Sequence, residues 1–435
     1  MLIAEIKNRY KGFFKDTITL VGATSAAKVS GIILVPIVTR LYDPDDFGVM
    51  SVLLSFGMIF GSVSALRYEH AIVLPKDDAV GFQLTKLSML LVVVTSGILS
   101  VISFLVASFF SDVPLVHDMG LWIYTIPLLT FLIGANEVLT GWCTRKVQYK
   151  NIGVSEVSVS LVNSGSRIVL GALYGSSVFG LMFGNIIGFI VKIYILLKGM
   201  KELFNDRILN VQHMSLKELA IKYKHFPLFA APTAILNTGF QKMPVIFLGV
   251  LFLPNVVGLY AMASRLSRLP IDIVSLPVRR IYMQRVAKLR NNKRPIMGVL
   301  IKTTFVLFVI GLVPFILLVF FGEEMFGFVL GEKWSDAGLY ASMLVPWLYS
   351  IFIMTPSATN YVVLDKQALY LRSQLYIGLL GVLVFFFGFV LNATPELLLL
   401  YFSLTAMFAN ILLFVVTIMI TLQADRDIYN NSMSQ

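Results

Sequence analysis

Residues 16–75 read DTITLVGATSAAKVSGIILVPIVTRLYDPDDFGVMSVLLSFGMIFGSVSALRYEHAIVLP. An apolar run carrying one lysine, Lys28, passes through the turn Tyr42-Asp43-Pro44-Asp45-Asp46-Phe47-Gly48 into a second apolar run that ends on Arg67-Tyr68-Glu69. Each run is long enough to cross a bilayer as a helix, which takes about 20 apolar residues. Neither alternates apolar with polar residues, as a strand of a transmembrane barrel would. The stretch is therefore a helical hairpin in a membrane. Lys28 falls near the middle of its first arm, where an unpaired charge costs about 2.5 to 3.5 kcal/mol on insertion scales.

The whole chain repeats this character. Of 435 residues 57% are hydrophobic and 14% charged, against about 25% charged in soluble domains, so the protein is a polytopic, all-α integral membrane protein. About twelve spans are expected, near 17–40, 47–66, 83–110, 119–142, 152–174, 177–197, 226–252, 256–278, 297–321, 337–360, 369–391 and 396–422. Pro227, Pro232, Pro244, Pro270, Pro277 and Pro314 predict kinks in the seventh to ninth spans, and Pro346 and Pro356 interrupt the tenth. The start lacks the basic, apolar and small-residue blocks of a signal peptide, so the first helix is expected to stay in the mature chain. A single cysteine, Cys143, excludes a disulfide framework, and His70, His117, His213 and His225 are too scattered for ligand spacing. No catalytic, metal or cofactor motif is legible.

Orientation follows from lysine and arginine. Lys7, Arg9, Lys11, Lys15, Arg67, Lys76, Arg145, Lys146, Lys150, the loop from Lys198 to Lys224, the run Arg279 to Arg294, Lys366, Arg372 and Arg426 lie on one side, and only Arg40 and Lys333 on the other. The positive-inside rule places both termini in the cytoplasm. The net charge of +11 thus reports topology, with no nucleic-acid partner implied.

The one long loop divides the chain into an N-terminal lobe (1–198, six helices), a cytoplasmic connector (199–225) and a C-terminal lobe (226–435, six helices). Within the connector, Leu216 to Tyr223 is amphipathic and suits either the inner leaflet or a solvated linker. The turn Pro44-Asp45-Asp46-Phe47-Gly48 has a counterpart in Pro254-Asn255-Val256-Val257-Gly258, each with a proline four residues before a glycine. Six helices per lobe preserve direction, so the lobes are expected to be related by a pseudo-two-fold axis along the membrane normal, the plan of rocking transporters.

Ionisable residues remain inside the spans. Lys28, Lys242 and Arg265 lie near the midplane, Arg268 is one helical turn beyond Arg265, and Arg167 sits in the outer half of span five. The acidic residues are fewer: Glu137, Glu156 and Asp272. Lys192 is read as snorkelling to the interface, and Arg67 with Glu69 as an interfacial pair. The positive surplus predicts a cationic cavity suited to a diphosphate, whose oxygens accept charge-assisted bonds from lysine and arginine. Without a nucleotide-binding loop, export of such an anion can draw on the membrane potential, about 2.3 kcal/mol per charge per 100 mV.

The run Pro36-Ile37-Val38-Thr39-Arg40-Leu41-Tyr42-Asp43-Pro44-Asp45-Asp46-Phe47-Gly48, with Leu66-Arg67-Tyr68-Glu69-His70-Ala71-Ile72-Val73-Leu74-Pro75, resembles the amino-terminal signature of bacterial polysaccharide transporters. These are the O-antigen and capsular oligosaccharide flippases, in the superfamily of the lipid II flippase and the multidrug and toxin extrusion transporters. The resemblance implies a V-shaped two-lobe fold with a central cavity. It also implies transfer of an undecaprenyl-diphosphate-linked oligosaccharide from the cytoplasmic to the periplasmic leaflet of the inner membrane for surface polysaccharide, without enzyme chemistry. The expected partners are that lipid-linked sugar, membrane lipids and other polysaccharide-assembly proteins. Lys28, Arg167, Lys242, Arg265 and Arg268 are the expected substrate ligands. No cofactor is implied; if protons or sodium drive the cycle, as is suspected in the superfamily, Glu137 and Asp272 are the acidic candidates. A drug or cation antiporter of the same fold conflicts with the positive surplus. A membrane polymerase or ligase would call for large outer loops, which are missing, and a scaffold would leave the buried cations unexplained.

Overall fold

The computed structural model describes residues 30–199 and 215–433. Lys28 and most of the expected connector lie outside them. Among the described residues the secondary structure is helical throughout, and eight helices are long and apolar enough to cross a membrane. The all-α membrane architecture expected from the sequence is the one observed. Of the four other expected spans, the first is described only from residue 30, two carry Asp45 and Asp46 or Glu156 and Arg167, and the helix of the eighth, Pro254–Ser267, has 14 residues. Helices with this polar content bury part of their surface in protein instead of lipid.

Contacts divide the chain into two compact units, Met1–Gly258 and Leu259–Gln435. The first holds α1 (Val35–Leu41), α2 (Pro44–Gly61), α3 (Asp78–Phe109), α4 (Thr125–Arg145), α5 (Tyr149–Tyr174), α6 (Val178–Lys198), the short α7 (Leu216–Lys222) and α8 (Ala231–Leu251). α9 (Pro254–Ser267) begins in it. The boundary falls later than the expected connector because α8 packs on α2, where Gly249 leaves space for Val52.

Local chemistry sets the helix ends. Proline stands at the first position of α2, where its missing N–H costs nothing. The Asp77 carboxylate accepts the Ala79 N–H at the start of α3, and Ser215 and Glu218 form a capping box on α7. Close packing follows the small residues: Gly57 and Gly61 of α2 lie against Leu129 and Ile133 of α4, where a side chain would clash. Between α5 and α6, polar groups meet in pairs. Asn163 donates to Asn185 at 2.7 Å, and Lys192 is bonded to Glu156 at 2.6 Å. Lys192 was expected to snorkel; it is held by this pair instead.

The second unit contains α10 (Leu276–Asn291), α11 (Met297–Leu330), α12 (Ser335–Ile353), α13 (Thr355–Val363), α14 (Gln367–Val390) and α15 (Pro395–Met433). Most of the basic run Arg279 to Arg294, expected between two spans, is helical, as far as Asn291. Lysine and arginine are good helix formers and the helix simply continues past its apolar part. α12 and α13 split the expected tenth span at Met354, just before Pro356, whereas Pro346 is accommodated because the Ser403 hydroxyl accepts the Trp347 N–H. The break in α11 is at Phe321, beside Gly322, and not at Pro314; there Gly322 and Gly338 bring the backbones of α11 and α12 together. Asp425 ties the unit's ends by accepting the N–H groups of Ile296 and Met297 at 3.0 and 2.9 Å.

The expected proline kinks take a specific form. Residues Phe226–Ala230 and Ile271–Ser275 are π-turns, and each is followed two residues later by proline, Pro232 and Pro277. A proline can neither donate to the helix ladder nor tolerate the carbonyl one turn before it, so the preceding turn widens to i→i+5. Such widened turns turn side chains out of the regular helical stripe, and the first of them borders the cavity described next.

Candidate functional site

The signature Leu66 to Pro75 is a folded segment between α2 and α3. Leu66 and Arg67 both have left-handed backbones, φ 50° and 64°, a conformation that costs a non-glycine residue about 1 to 2 kcal/mol and marks a constrained position. What holds it is Arg145 at the end of α4. Its guanidinium donates to the Ile72 and Pro75 carbonyls at 2.9 and 2.7 Å and to the Asp78 carboxylate at 2.9 Å. Tyr68, Ala71 and Ile72 enter a core with Leu84, Trp142, Leu196 and Leu219, and the Tyr68 hydroxyl donates to the Ala220 carbonyl. Gly141 lets α4 approach the Glu69 carbonyl, which a Cβ would crowd at 2.9 Å.

This clamped backbone presents two charges. Arg67 donates to the Ser62 carbonyl at 3.0 Å and lies 3.4 Å from Glu69. Glu69 is 4% exposed, its Oε1 near Arg67 and 3.9 Å from His70, and its Oε2 is buried without a hydrogen bond. Burial pushes the Glu69 carboxyl up to about 7, opposed by a backbone hydrogen bond and by Arg67 and reinforced by the charge of Glu137. Burial and Arg67 both lower the His70 imidazole.

Arg67 also lines a cavity of about 470 Å³, with His225, Phe226, Phe229, Thr233 and Asn237 across from it. The His225 and Phe229 rings stack at 6.4 Å on the π-turn. The cavity therefore combines a guanidinium, stacked rings and the polar side chains of Thr233 and Asn237. That set suits a phosphorylated sugar, since guanidinium binds phosphate oxygens and rings cover the apolar faces of sugars.

The expected ligands are placed as follows. Arg167 is 6% exposed, between α5 and α6, with its stem in the space left by Gly184 and its Nη2 3.3 Å from the Met50 sulfur. Its own carbonyl accepts the Tyr42 hydroxyl at 2.7 Å. Lys242 is half-buried on α8, one to two turns beyond Asn237. In the second unit Arg265 is exposed and Arg268 stacks on Trp347, 4.8 Å from the ring centre. Glu137 and Asp272 are exposed. The sequence reads Arg67 and Glu69 as an interfacial pair and His225 only as one of four scattered histidines, and it does not single out Phe229 or Asn237. The signals for them were the signature itself and the prolines at the start of the seventh span.

Glu69 makes a prediction. Its folded pKa, about 7, lies above the ordinary 4.5, so its neutral form is the one the fold favours. The stability it contributes is full below about pH 4.5 and is lost as pH rises through about 7. Thermal unfolding of the wild type in detergent is expected to fall across that window, and Glu69→Gln is expected to flatten the fall. Equal pH profiles for the two proteins would show that Glu69 titrates normally.

The fold of this helical membrane protein is similar to that of several solved transporter structures. A multidrug resistance MATE family transporter of the MOP superfamily, inward-facing, aligns with TM-score 0.59 at 14% identity, covering 95% of this chain and 96% of that one. The lipid II flippase MurJ in an inward closed conformation aligns with TM-score 0.70 at 11% identity, covering 96% and 93%. An outward-facing MATE transporter of the same superfamily aligns with TM-score 0.56 at 13% identity, covering 96% of both. No curated protein sequence matches the chain. The sequence profile of the polysaccharide biosynthesis protein family matches residues 37–338, and the chain belongs to that family. It is a multi-pass membrane protein whose fold is similar to that of those transporters.

Proposed function

We propose that the protein flips an undecaprenyl-diphosphate-linked oligosaccharide, an O-antigen or capsular repeat unit, from the cytoplasmic to the periplasmic leaflet of a bacterial inner membrane, with both termini in the cytoplasm. The observation that carries this reading is the cavity in which Arg67, held by the family signature, faces stacked rings and Asn237. A lipid-linked diphosphate sugar offers the matching anion and hydroxyl groups, while its tail stays in the bilayer. The membrane potential favours the outward transfer of the anion. Lys28, Lys242, Arg265 and Arg268 are further proposed phosphate ligands, the last with Trp347 beneath it. Arg167, packed against Met50 and bound through its carbonyl to Tyr42, has a positioning role in this proposal. Glu69 joins Glu137 and Asp272 as an acidic group that could couple a proton to the cycle.

The test is the leaflet distribution of the lipid-linked unit in a deletion strain. The flippase reading expects accumulation on the cytoplasmic face. Accumulation of single units on the periplasmic face would mean that the protein acts after translocation, as a polymerase would. Charge removal at Lys28 and Arg265 together is expected to stop flipping while leaving membrane insertion unchanged; retained flipping would remove both from the site.

A further inference from the structure

α10 follows the π-turn Ile271–Ser275, and its two sides differ. One side is packed: Tyr282 and Val286, with Leu289, lie against Ile296 and Leu300. The Tyr282 hydroxyl donates to the Asn360 side chain at 2.7 Å, and Arg290 donates to the Ala424 carbonyl at 3.1 Å. The helix is thereby fixed to its own unit. The rest of its surface is open, and Arg279, Arg280, Arg285 and Lys288 are exposed on it. Among the described residues none of these four is in an ion pair.

Two features separate this surface from that of an ordinary solvated helix. Residues 273–322 contain eight lysines and arginines and no aspartate or glutamate, whereas solvated surfaces intersperse both signs. The Asp425 carboxylate beside the helix end accepts the Ile296 and Met297 N–H groups instead of pairing with an arginine. The second feature is that apolar side chains stand among the cations: Ile281 is 68% and Met283 44% exposed. By helical periodicity Ile281 shares a face with Arg285 and Lys288, and Met283 shares one with Arg279. The positive-inside rule accounts for the cations but not for exposed isoleucine and methionine between them. A boundary where acyl chains meet anionic heads favours both.

The depth of the helix agrees. α14 begins at Gln367, and its first turns carry Tyr370 and Tyr376, the latter 69% exposed. Tyrosine is enriched at the level of lipid headgroups. Arg279 is close enough to Tyr370 to act on its hydroxyl electrostatically, so Arg279 stands at that level. Ile281 and Met283 follow within about one helical turn.

We propose that the exposed face of α10 docks on anionic phospholipid heads of the leaflet beside it, with its cations on the lipid phosphates and Ile281 and Met283 among the upper acyl chains. The occupant is a phospholipid of net negative charge, of which phosphatidylglycerol is the simplest. Charge selects it, because the phosphate of a zwitterionic head is already neutralised by its own ammonium. The docking ties one end of the second unit to the membrane surface. It rests on the membrane reading alone, and a chain that moved no oligosaccharide would dock in the same way.

The experiment places a fluorophore on Met283→Cys in the full chain, reconstituted in lipid nanodiscs. The native cysteine, Cys143, is buried and stays unlabelled. The probes are phosphatidylglycerol and phosphatidylcholine, each brominated near the top of its acyl chains and supplied at equal fraction. Quenching by brominated phosphatidylglycerol is expected to exceed that by brominated phosphatidylcholine about threefold or more, and high salt should reduce the excess. Arg279→Gln/Arg280→Gln/Arg285→Gln/Lys288→Gln, with the label retained, should remove the excess. If that variant fails to insert, Arg285→Gln/Lys288→Gln is expected to lower the excess about twofold. Equal quenching by the two lipids overturns the proposal. So does a label quenched by aqueous iodide and by neither lipid, the result expected of a surface reserved for a soluble acidic partner. Loss of the excess on adding undecaprenyl diphosphate would assign the face to the transported lipid and overturn the proposal as well. Absence of oligosaccharide transfer in vesicles would leave the quenching result unchanged, so the docking and the substrate reading fail separately.

Discussion

Arg67→Ala is expected to abolish most transport while the protein still inserts and folds. Arg67 is the guanidinium that faces the cavity, and a charge-assisted bond to phosphate contributes about 1.5 to 3 kcal/mol. Its loss should lower substrate turnover roughly 10- to 100-fold. Arg67→Lys should recover part of this, since lysine keeps the charge but loses the two-pronged geometry. A competing account is that Arg67 serves only to neutralise Glu69, 3.4 Å away. The double variant Arg67→Ala/Glu69→Gln separates the two. Restored transport would assign Arg67 to charge balance alone, whereas continued loss, which we expect, assigns it to the substrate.

Arg145→Ala is expected to give the largest loss of stability. The side chain is 6% exposed and donates to the carbonyls of Ile72, Pro75 and Lys76 as well as to Asp78. Removal would leave the Ile72 and Pro75 carbonyls without these donors, a cost of about 2 to 3 kcal/mol. The Asp78 bond adds little to this, because Asp78 is 46% exposed and also contacts Lys146. The variant should unfold several degrees below the wild type in detergent, and trypsin should cut faster at Lys76 as the segment loosens. An unchanged melting curve together with unchanged cleavage would mean that the core around Tyr68 and Ile72 holds the segment without help. Asp78→Ala is expected to be milder, because the carbonyl bonds survive.

Much of the fold was legible because lipid imposes a simple rule: long apolar runs must be helices with their backbone groups satisfied. The eight most apolar helices and the polar turn at Pro44 follow from that rule alone. What it does not reach is how helices with mixed composition pack. Arg167 reads as an intramembrane cation in the sequence, and only the neighbouring Gly184 and Met50 show that its stem is packed inside the bundle. Lys192 looks free to snorkel until Glu156, distant in sequence, is found beside it. Arg67 is harder to read from the sequence. Its place at a helix end suggests an interface, and the left-handed backbone that carries it and the π-turn that faces it leave no periodic trace in the sequence. The repeat of Pro44 to Gly48 at Pro254 to Gly258 was visible as spacing. That the two copies touch is a fact of tertiary structure.

The central claim is that the chain moves a lipid-linked diphosphate oligosaccharide between leaflets. The most direct measurement is transfer of undecaprenyl-diphosphate-linked oligosaccharide in vesicles reconstituted with the purified protein, read by accessibility of the sugar to an added, impermeant glycosidase. Wild-type protein should expose lipid initially confined to the inner leaflet, and Arg67→Ala should not. Equal exposure in protein-free vesicles and in vesicles holding the wild type would contradict the account.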